Sequence, residues 1–206
     1  MAVIQGSSEW FEMRLGKITA SKISDVIAKG RSGEAVSRAD YKLDLALERH
    51  SGIKTESVST FHMQRGTELE PQARIEYELK TGTFVDQLDF VPHPDIEMAG
   101  ASPDGLVNDG GLIEIKCPMR KNHVRYLLSG KPPAVYIPQM AWQLACTGRE
   151  WVDFVSYHPD MPDNTKLFIA RYYRDEEYIT EIEEAVKQFD EEVELVVKRL
   201  EQYNAV

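Results

Sequence analysis

A mixed α/β fold, with a central sheet flanked by helices, is what this 206-residue sequence predicts. Five stretches, near residues 84–91, 97–101, 112–116, 151–157 and 166–173, are rich in apolar and β-branched side chains and read as strands. Segments of helical period lie between and around them. The longest, about 176 to 203, carries Ile179, Ile182, Val186, Phe189, Val193, Val196 and Leu200 at alternating three- and four-residue steps, with its acids off that stripe. Residues 1–206 read as one domain with a substantial core, because no strong linker divides them.

The remaining elements follow in chain order. Ser7 and Ser8 cap a short helix with Glu9 and Glu12 in its first turns. A second helix is expected over Ser21 to Lys29, presenting Ile23, Val26 and Ile27 on one face and stopping at Gly30. Ser37 to Asp40 has the form of a capping box before a third helix holding Tyr41, Leu45 and Leu47. Residues 51–60 read as a loop, and a fourth helix lies between Phe61 and Lys80. Another helix, around Ala134 to Cys146, falls between the strands at 112–116 and 151–157. The last helix is expected to lay its apolar stripe on the domain's own sheet, turning its acids outward.

Composition excludes several classes. Hydrophobic residues make up 42% of the chain, yet no apolar run approaches the ~20 residues of a membrane helix. The first six residues lack the basic start and apolar stretch of a secretory signal, so a cytoplasmic protein is expected. Cys117 and Cys146 are too few for a thiolate cage, and the five histidines lack zinc-enzyme spacing. The net charge of −10 is unevenly spread. From Asp175 onward there are eleven acids and three bases, which leaves −2 for residues 1–174. Arg14, Lys17, Lys22, Lys29 and Arg31 face only Asp25 in their stretch, and Arg120, Lys121, Arg125 and Lys131 form a second basic cluster. Local patches of this kind, rather than whole-chain charge, set phosphate contact.

One stretch carries chemistry. Ser102-Pro103-Asp104-Gly105-Leu106 is followed by Asn108-Asp109-Gly110-Gly111, whose residues tolerate positive φ, and then by Leu112 to Pro118. Strand alternation puts Glu114 and Lys116 on one side and Ile113 and Ile115 on the other. A hairpin through the turn brings Asp104 beside Glu114. Two carboxylates and an ammonium so gathered suit a hard divalent cation and a phosphodiester. Lys116 then steers a water or acts as a fixed cation; nearby carboxylates favour its charged form and metal cations oppose it, which leaves a general-base role open. The motif is short, and a solvated Glu-Lys pair on an amphipathic hairpin has the same spelling.

Four segments in order make it specific: Trp10 to Lys29, with Arg14-Leu15-Gly16-Lys17-Ile18-Thr19-Ala20-Ser21; Arg65-Gly66-Thr67-Glu68-Leu69-Glu70-Pro71-Gln72-Ala73-Arg74; Ser102-Pro103-Asp104-Gly105-Leu106 with Leu112 to Pro118; and Tyr136-Ile137-Pro138-Gln139-Met140. Together they resemble the phage lambda-type exonucleases, also called alkaline or viral-recombination exonucleases. The resemblance implies a restriction-endonuclease-like core and a single nuclease domain. It implies that Asp104 and Glu114 ligate metal, that the Ile115 carbonyl and, directly or through water, Glu70 complete the site, and that Lys116 is the catalytic lysine, with Gln139 supporting it or the substrate. Glu70 has a structural alternative, since Thr67-x-x-Glu70 before Pro71 also spells a helix start. Arg14, Ser21 and Ser102 match the pocket for a 5′-terminal phosphate, where an arginine with two hydroxyls suits a doubly charged group. Arg31 matches a basic loop that enters the DNA groove.

The implied activity is Mg²⁺-dependent (or Mn²⁺-dependent), with two ions per site. It is 5′→3′ digestion of one strand of linear double-stranded DNA to mononucleotides, leaving 3′ overhangs. The resemblance further implies double-stranded DNA ends as the substrate, a homotrimer, a single-strand annealing recombination protein as partner, no membrane, and a phage or prophage origin. Residues 51–60 do not align with the family's duplex-splitting element. The rivals are an endonuclease or repair nuclease with the same metal core, and a catalytically silent DNA-end-binding module.

Overall fold

The computed structural model describes residues 7–55 and 61–203. The chain runs α1 (Ser8–Arg14), β1 (Ile18–Thr19), a 3₁₀ turn (Ala20–Lys22), α2 (Ile23–Val26), β2 (Lys29–Gly30), β3 (Gly33–Glu34), α3 (Val36–Ser51) and α4 (Phe61–Thr81). Short strands follow: β4 (Val85–Asp86), β5 (Val91–Pro92), β6 (Ala99–Ala101) and β7 (Gly105–Val107). Then come β8 (Gly111–Lys116), α5 (Arg120–Ser129), a 3₁₀ turn (Ala134–Tyr136), α6 (Ile137–Thr147), β9 (Trp151–Tyr157), β10 (Leu167–Tyr173) and α7 (Glu176–Glu201).

The main sheet has the order β10-β9-β8-β7-β4; β8 and β9 are parallel and the other pairs antiparallel. A parallel pair needs a long crossover, and α5 and α6 supply it. A smaller sheet, β1-β6-β5, packs alongside, with β1 parallel to β6. The mixed α/β architecture expected from the sequence is therefore observed.

Each face of β8 enters a different core. Leu112 joins Val152, Phe154, Met140, Trp142 and the stripe of α7, whereas Ile113 and Ile115 join Val155, Ala73 and Tyr77 under α4. The alternation read from the sequence is thus correct, and helices cover both faces. At Asn108 the turn adopts φ 49°. Gly105 is required by close approach: a Cβ there would lie 2.2 Å from Val85 Cγ1.

Several expectations need correction. The second helix ends at Val26, and Lys29-Gly30 belongs instead to a β2–β3 hairpin. The third helix starts at Val36 with no side-chain cap, so Ser37 and Asp40 lie inside it. The 84–91 stretch is two separate strands in two sheets. Thr67, Glu70 and Pro71 all lie within α4, so no helix starts there. The predicted 51–60 loop falls partly outside the described residues. In α7, Val197 is buried where Val196 was expected, because the step after Val193 is four residues. That helix packs chiefly on α3 and also on α6 and α2, rather than chiefly on the main sheet, whose Leu112, Val152 and Phe154 share its core. Its acids are not all turned to solvent: Glu192 pairs with Arg38 and Lys42, and Arg49 bridges Asp190 and Glu194.

Candidate active site

The end of β8 gathers the residues singled out above. The Asp104 amide donates to the Ile113 carbonyl at 3.2 Å, extending the hairpin ladder past β7, and its Oδ2 accepts from the Ile115 amide at 2.6 Å. Glu114 is 1% exposed and pairs with the Lys116 ammonium, which is itself partly exposed. A solvated outer-face pair is thereby ruled out for Glu114. Its carboxylate also accepts from Gln139 Nε2 on Oε1 at 2.7 Å and from Gln143 Nε2 on Oε2 at 2.5 Å. The two glutamines are four residues apart on α6 and so lie on one helix face. On α4, Glu70 is held by Arg74 at 2.8 Å, and the same guanidinium donates to the Asp104 carbonyl at 3.2 Å.

These groups border a cleft of about 530 Å³ lined by Glu70, Asp104, Ile115, Lys116, Tyr126 and Tyr136, among others. Its electrostatics are strained. Burial, and then Glu114 and Glu70, push the Asp104 carboxyl well above the usual carboxylate range, against the pull of Lys116. Burial and Glu114 likewise raise Glu70, with Arg74 opposing. Burial works against the charge on Lys116, but Glu114 and Asp104 outweigh it, so this ammonium is held above its ordinary range. Hard oxygen donors crowded until they repel one another are a donor set that suits a divalent cation. Among the described residues no three carboxylate, imidazole or thiolate groups close into a full cage. Mg²⁺ does not require one, because it keeps waters and uses one or two carboxylates with substrate oxygens.

Arg14, at the end of α1, donates to Ser102 Oγ at 2.9 Å and lies over the Trp10 ring, 4.1 Å from its centroid. Among the described residues it has no carboxylate partner, and burial lowers its pKa to about 10. Ser21 sits exposed on the 3₁₀ turn after β1, without a hydrogen bond to either residue among those described. Arg31 is exposed at the tip of the β2–β3 hairpin.

A family model described as the YqaJ-like viral recombinase domain matches residues 9–150. The chain belongs to this family. The YqaJ-like match takes in α1 through α6, and with them every residue placed above at the cleft and at Arg14. Outside it lie β9, β10 and α7. Among solved structures, an alkaline exonuclease (LHK-Exo) from Laribacter hongkongensis is 46% identical, covering 95% of this chain and 97% of its own, with a TM-score of 0.89. The same protein in complex with dAMP matches equally well. A phage-related exonuclease from Haemophilus somnus 129PT shares the fold at 14% identity and a TM-score of 0.71, over 89% of this chain and 96% of its own. No curated protein matches the chain. The family is thus the lambda-exonuclease type expected from the sequence.

Sequence reasoning missed two residues that hold the carboxylates gathered here. Gln143 carried no motif of its own, although its i+4 spacing from Gln139 was a usable signal. Arg74 lay inside a quoted segment, also at i+4 from Glu70, without a role being read from it.

Proposed function

We propose that this protein is a metal-dependent exonuclease that digests one strand of linear duplex DNA from its 5′ end to mononucleotides, leaving 3′ overhangs for strand annealing. The observation that carries this is the pairing of the buried Glu114 with Lys116, which lines a cleft together with Asp104 and Glu70, in a chain 46% identical to an alkaline exonuclease. Asp104, Glu114 and Glu70, with the Ile115 carbonyl, are the residues that would hold Mg²⁺ or Mn²⁺. The chemistry such a cation would supply is a lowered pKa for a bound water and a counter-charge for the phosphorus oxygens. Lys116, paired with Glu114, is placed to act as a fixed cation that orients the attacking water or stabilises the leaving charge. Gln139 and Gln143 fix the rotamer of Glu114.

At the DNA end, Arg14 and Ser102 supply an unpaired cation and a hydroxyl for a terminal phosphate, with Ser21 on the adjoining turn. Arg31 is placed to reach a groove from its hairpin tip. The same reading makes the protein a homotrimer around DNA, partnered by a single-strand annealing protein in a phage- or prophage-bearing bacterial cytoplasm. Among the described residues no helix is long and apolar enough to cross a membrane.

A time course on end-labelled, 5′-phosphorylated linear duplex, with Mg²⁺ or with EDTA, tests polarity, end requirement and metal need together. Mononucleotide release from the 5′ end, abolished by EDTA and by Asp104→Ala, is expected. Equal release by wild type and Asp104→Ala overturns the assignment, and cutting of covalently closed circles replaces the exonuclease by an endonuclease. Light scattering tests the trimer; a strict monomer that digests processively removes the ring.

A further inference from the structure

Next to the cleft lies a second cavity, of about 670 Å³, lined by Arg65, Met119, Arg120, Lys121, Val124, Arg125, His158 and Asp160. Met119 borders both spaces, and on α4 Arg65 lines one while Gly66 and Thr67 line the other. The cavities are therefore neighbours across one wall.

Four cations border the second cavity against one acid. That acid, Asp160, lies 3.8 Å from Arg120, and both side chains are more than 60% exposed, so the pair neutralises little. The Arg65 side chain is partly exposed, yet its Nε and Nη2 are buried with no hydrogen-bond acceptor among the described residues. Buried donors of a cation left unmet are unfavourable unless an anion completes them. The placement of Arg120 and Lys121 points the same way. They begin α5, whose first turn holds no acid and whose N-terminus has no side-chain cap. A helix N-terminus carries partial positive charge, so cations there are electrostatically misplaced without an anion in front of them. Burial and Arg65 lower the pKa of His158, against the pull of Asp160, and its imidazole lines the cavity with the apolar Met119 and Val124.

We propose that this cavity is a second phosphate site, which holds a backbone phosphodiester of the strand whose neighbouring linkage lies in the cleft. This rests on the exonuclease reading and extends it: the strand is gripped on both sides of Met119, so the linkage at Asp104 is positioned by two anchored phosphates.

The test is binding of a fluorescent linear duplex by anisotropy, in EDTA so that no turnover is needed, across a salt series. Arg65→Met and the double variant Lys121→Gln/Arg125→Gln are each expected to weaken binding several-fold. Each lost phosphate contact should flatten the log K against log salt slope by about 0.9. Arg65→Met should at the same time raise Tm, since it removes buried, unsatisfied donors; a structural arginine would lower it. Unchanged slopes in both variants, or a lowered Tm with unchanged binding, overturn the proposal. Variants that lose affinity for a free deoxynucleoside monophosphate, yet keep the wild-type duplex slope, make the cavity a product site and overturn the strand assignment. Wild type that binds duplex with an Arg65-dependent slope but releases no nucleotide on adding Mg²⁺ upholds this site and removes the exonuclease reading.

Discussion

Gln143 Nε2 donates to Glu114 Oε2 at 2.5 Å from a position that is wholly buried, and Gln139 holds the other carboxylate oxygen at 2.7 Å. Glu114 is thereby fixed before any cation or substrate arrives. Partners of this kind, one step removed from the reacting atoms, typically change activity by about 10- to 100-fold. Gln143→Leu should therefore lower kcat by about that factor. It should leave KM for DNA little changed, because Gln143 is not among the residues lining the cleft. The leucine also removes Gln143 Oε1, which is buried without a partner, so Tm should hold within a few degrees. Steady-state kinetics with a melting curve checks both parts. A raised KM with intact kcat contradicts the positioning role.

Asp104 gives a prediction of opposite signs for stability and activity. Its carboxylate is destabilised by burial and by Glu114 and Glu70, so its folded pKa lies above the unfolded value. Such a group is more easily ionised in the unfolded chain, so ionisation near neutral pH works against folding. Asp104→Asn keeps an acceptor for the Ile115 amide and removes the charge. In EDTA its Tm should exceed that of wild type by a few degrees, whereas nuclease activity should disappear. Mg²⁺ should raise the Tm of wild type and leave that of the variant unchanged, since a ligand stabilises only the form that binds it. Differential scanning calorimetry with and without Mg²⁺ measures all three differences.

The sequence located this site better than it located several of the elements around it. Glu114 and Lys116 were legible because strand alternation is a local rule, and Asp104 followed from a turn whose asparagine does adopt positive φ. Glu70 was ambiguous because Thr67-x-x-Glu70-Pro71 spells a helix start. Only tertiary packing of α4 over Ile113 and Ile115 carries the helix through that proline. The 84–91 stretch looked like one strand because apolar content does not record where two sheets divide. The basic segment after Lys116 was read for charge alone, and its helical period, α5, was overlooked. The acids of α7 were expected to face solvent because Arg38, Lys42 and Arg49, 141 to 154 residues away, could not be paired with them from sequence.

Arg14 should control the preference for a phosphorylated end. It is a half-buried cation that rests on Trp10 and donates to Ser102; Glu48 acts on it only at longer range, and no carboxylate forms an ion pair with it among the described residues. A terminal phosphate would supply that counter-charge, and a charge-assisted contact of this type is worth about 1.5–3 kcal/mol. Arg14→Gln should then reduce the ratio of cleavage rates for 5′-phosphate over 5′-hydroxyl ends by about 10- to 100-fold, with the hydroxyl substrate much less affected. Competition between the two labelled duplexes in one tube reads the ratio directly. An unchanged ratio takes the terminal phosphate away from Arg14.

The contact between α3 and α7 sets the acid limit of the fold. Glu192 accepts from both Arg38 guanidinium nitrogens at 2.8 Å and from Lys42 at 2.9 Å, and these bonds hold its pKa at about 2. A carboxylate whose folded pKa is depressed contributes stability that is complete above its unfolded pKa and is lost as pH falls through the folded value. The loss attributable to Glu192 should therefore run from about pH 4.5 down to about pH 2. The side chain is 27% exposed, so solvent screening reduces the contribution to about 1–2 kcal/mol, or roughly 3–6 °C in Tm for a chain of this size. Glu192→Gln should melt lower than wild type at pH 7, and the two curves should converge as pH approaches 2. Parallel Tm–pH curves would mean that Glu192 gains nothing from its bonds to Arg38 and Lys42, and would leave it contributing only surface charge.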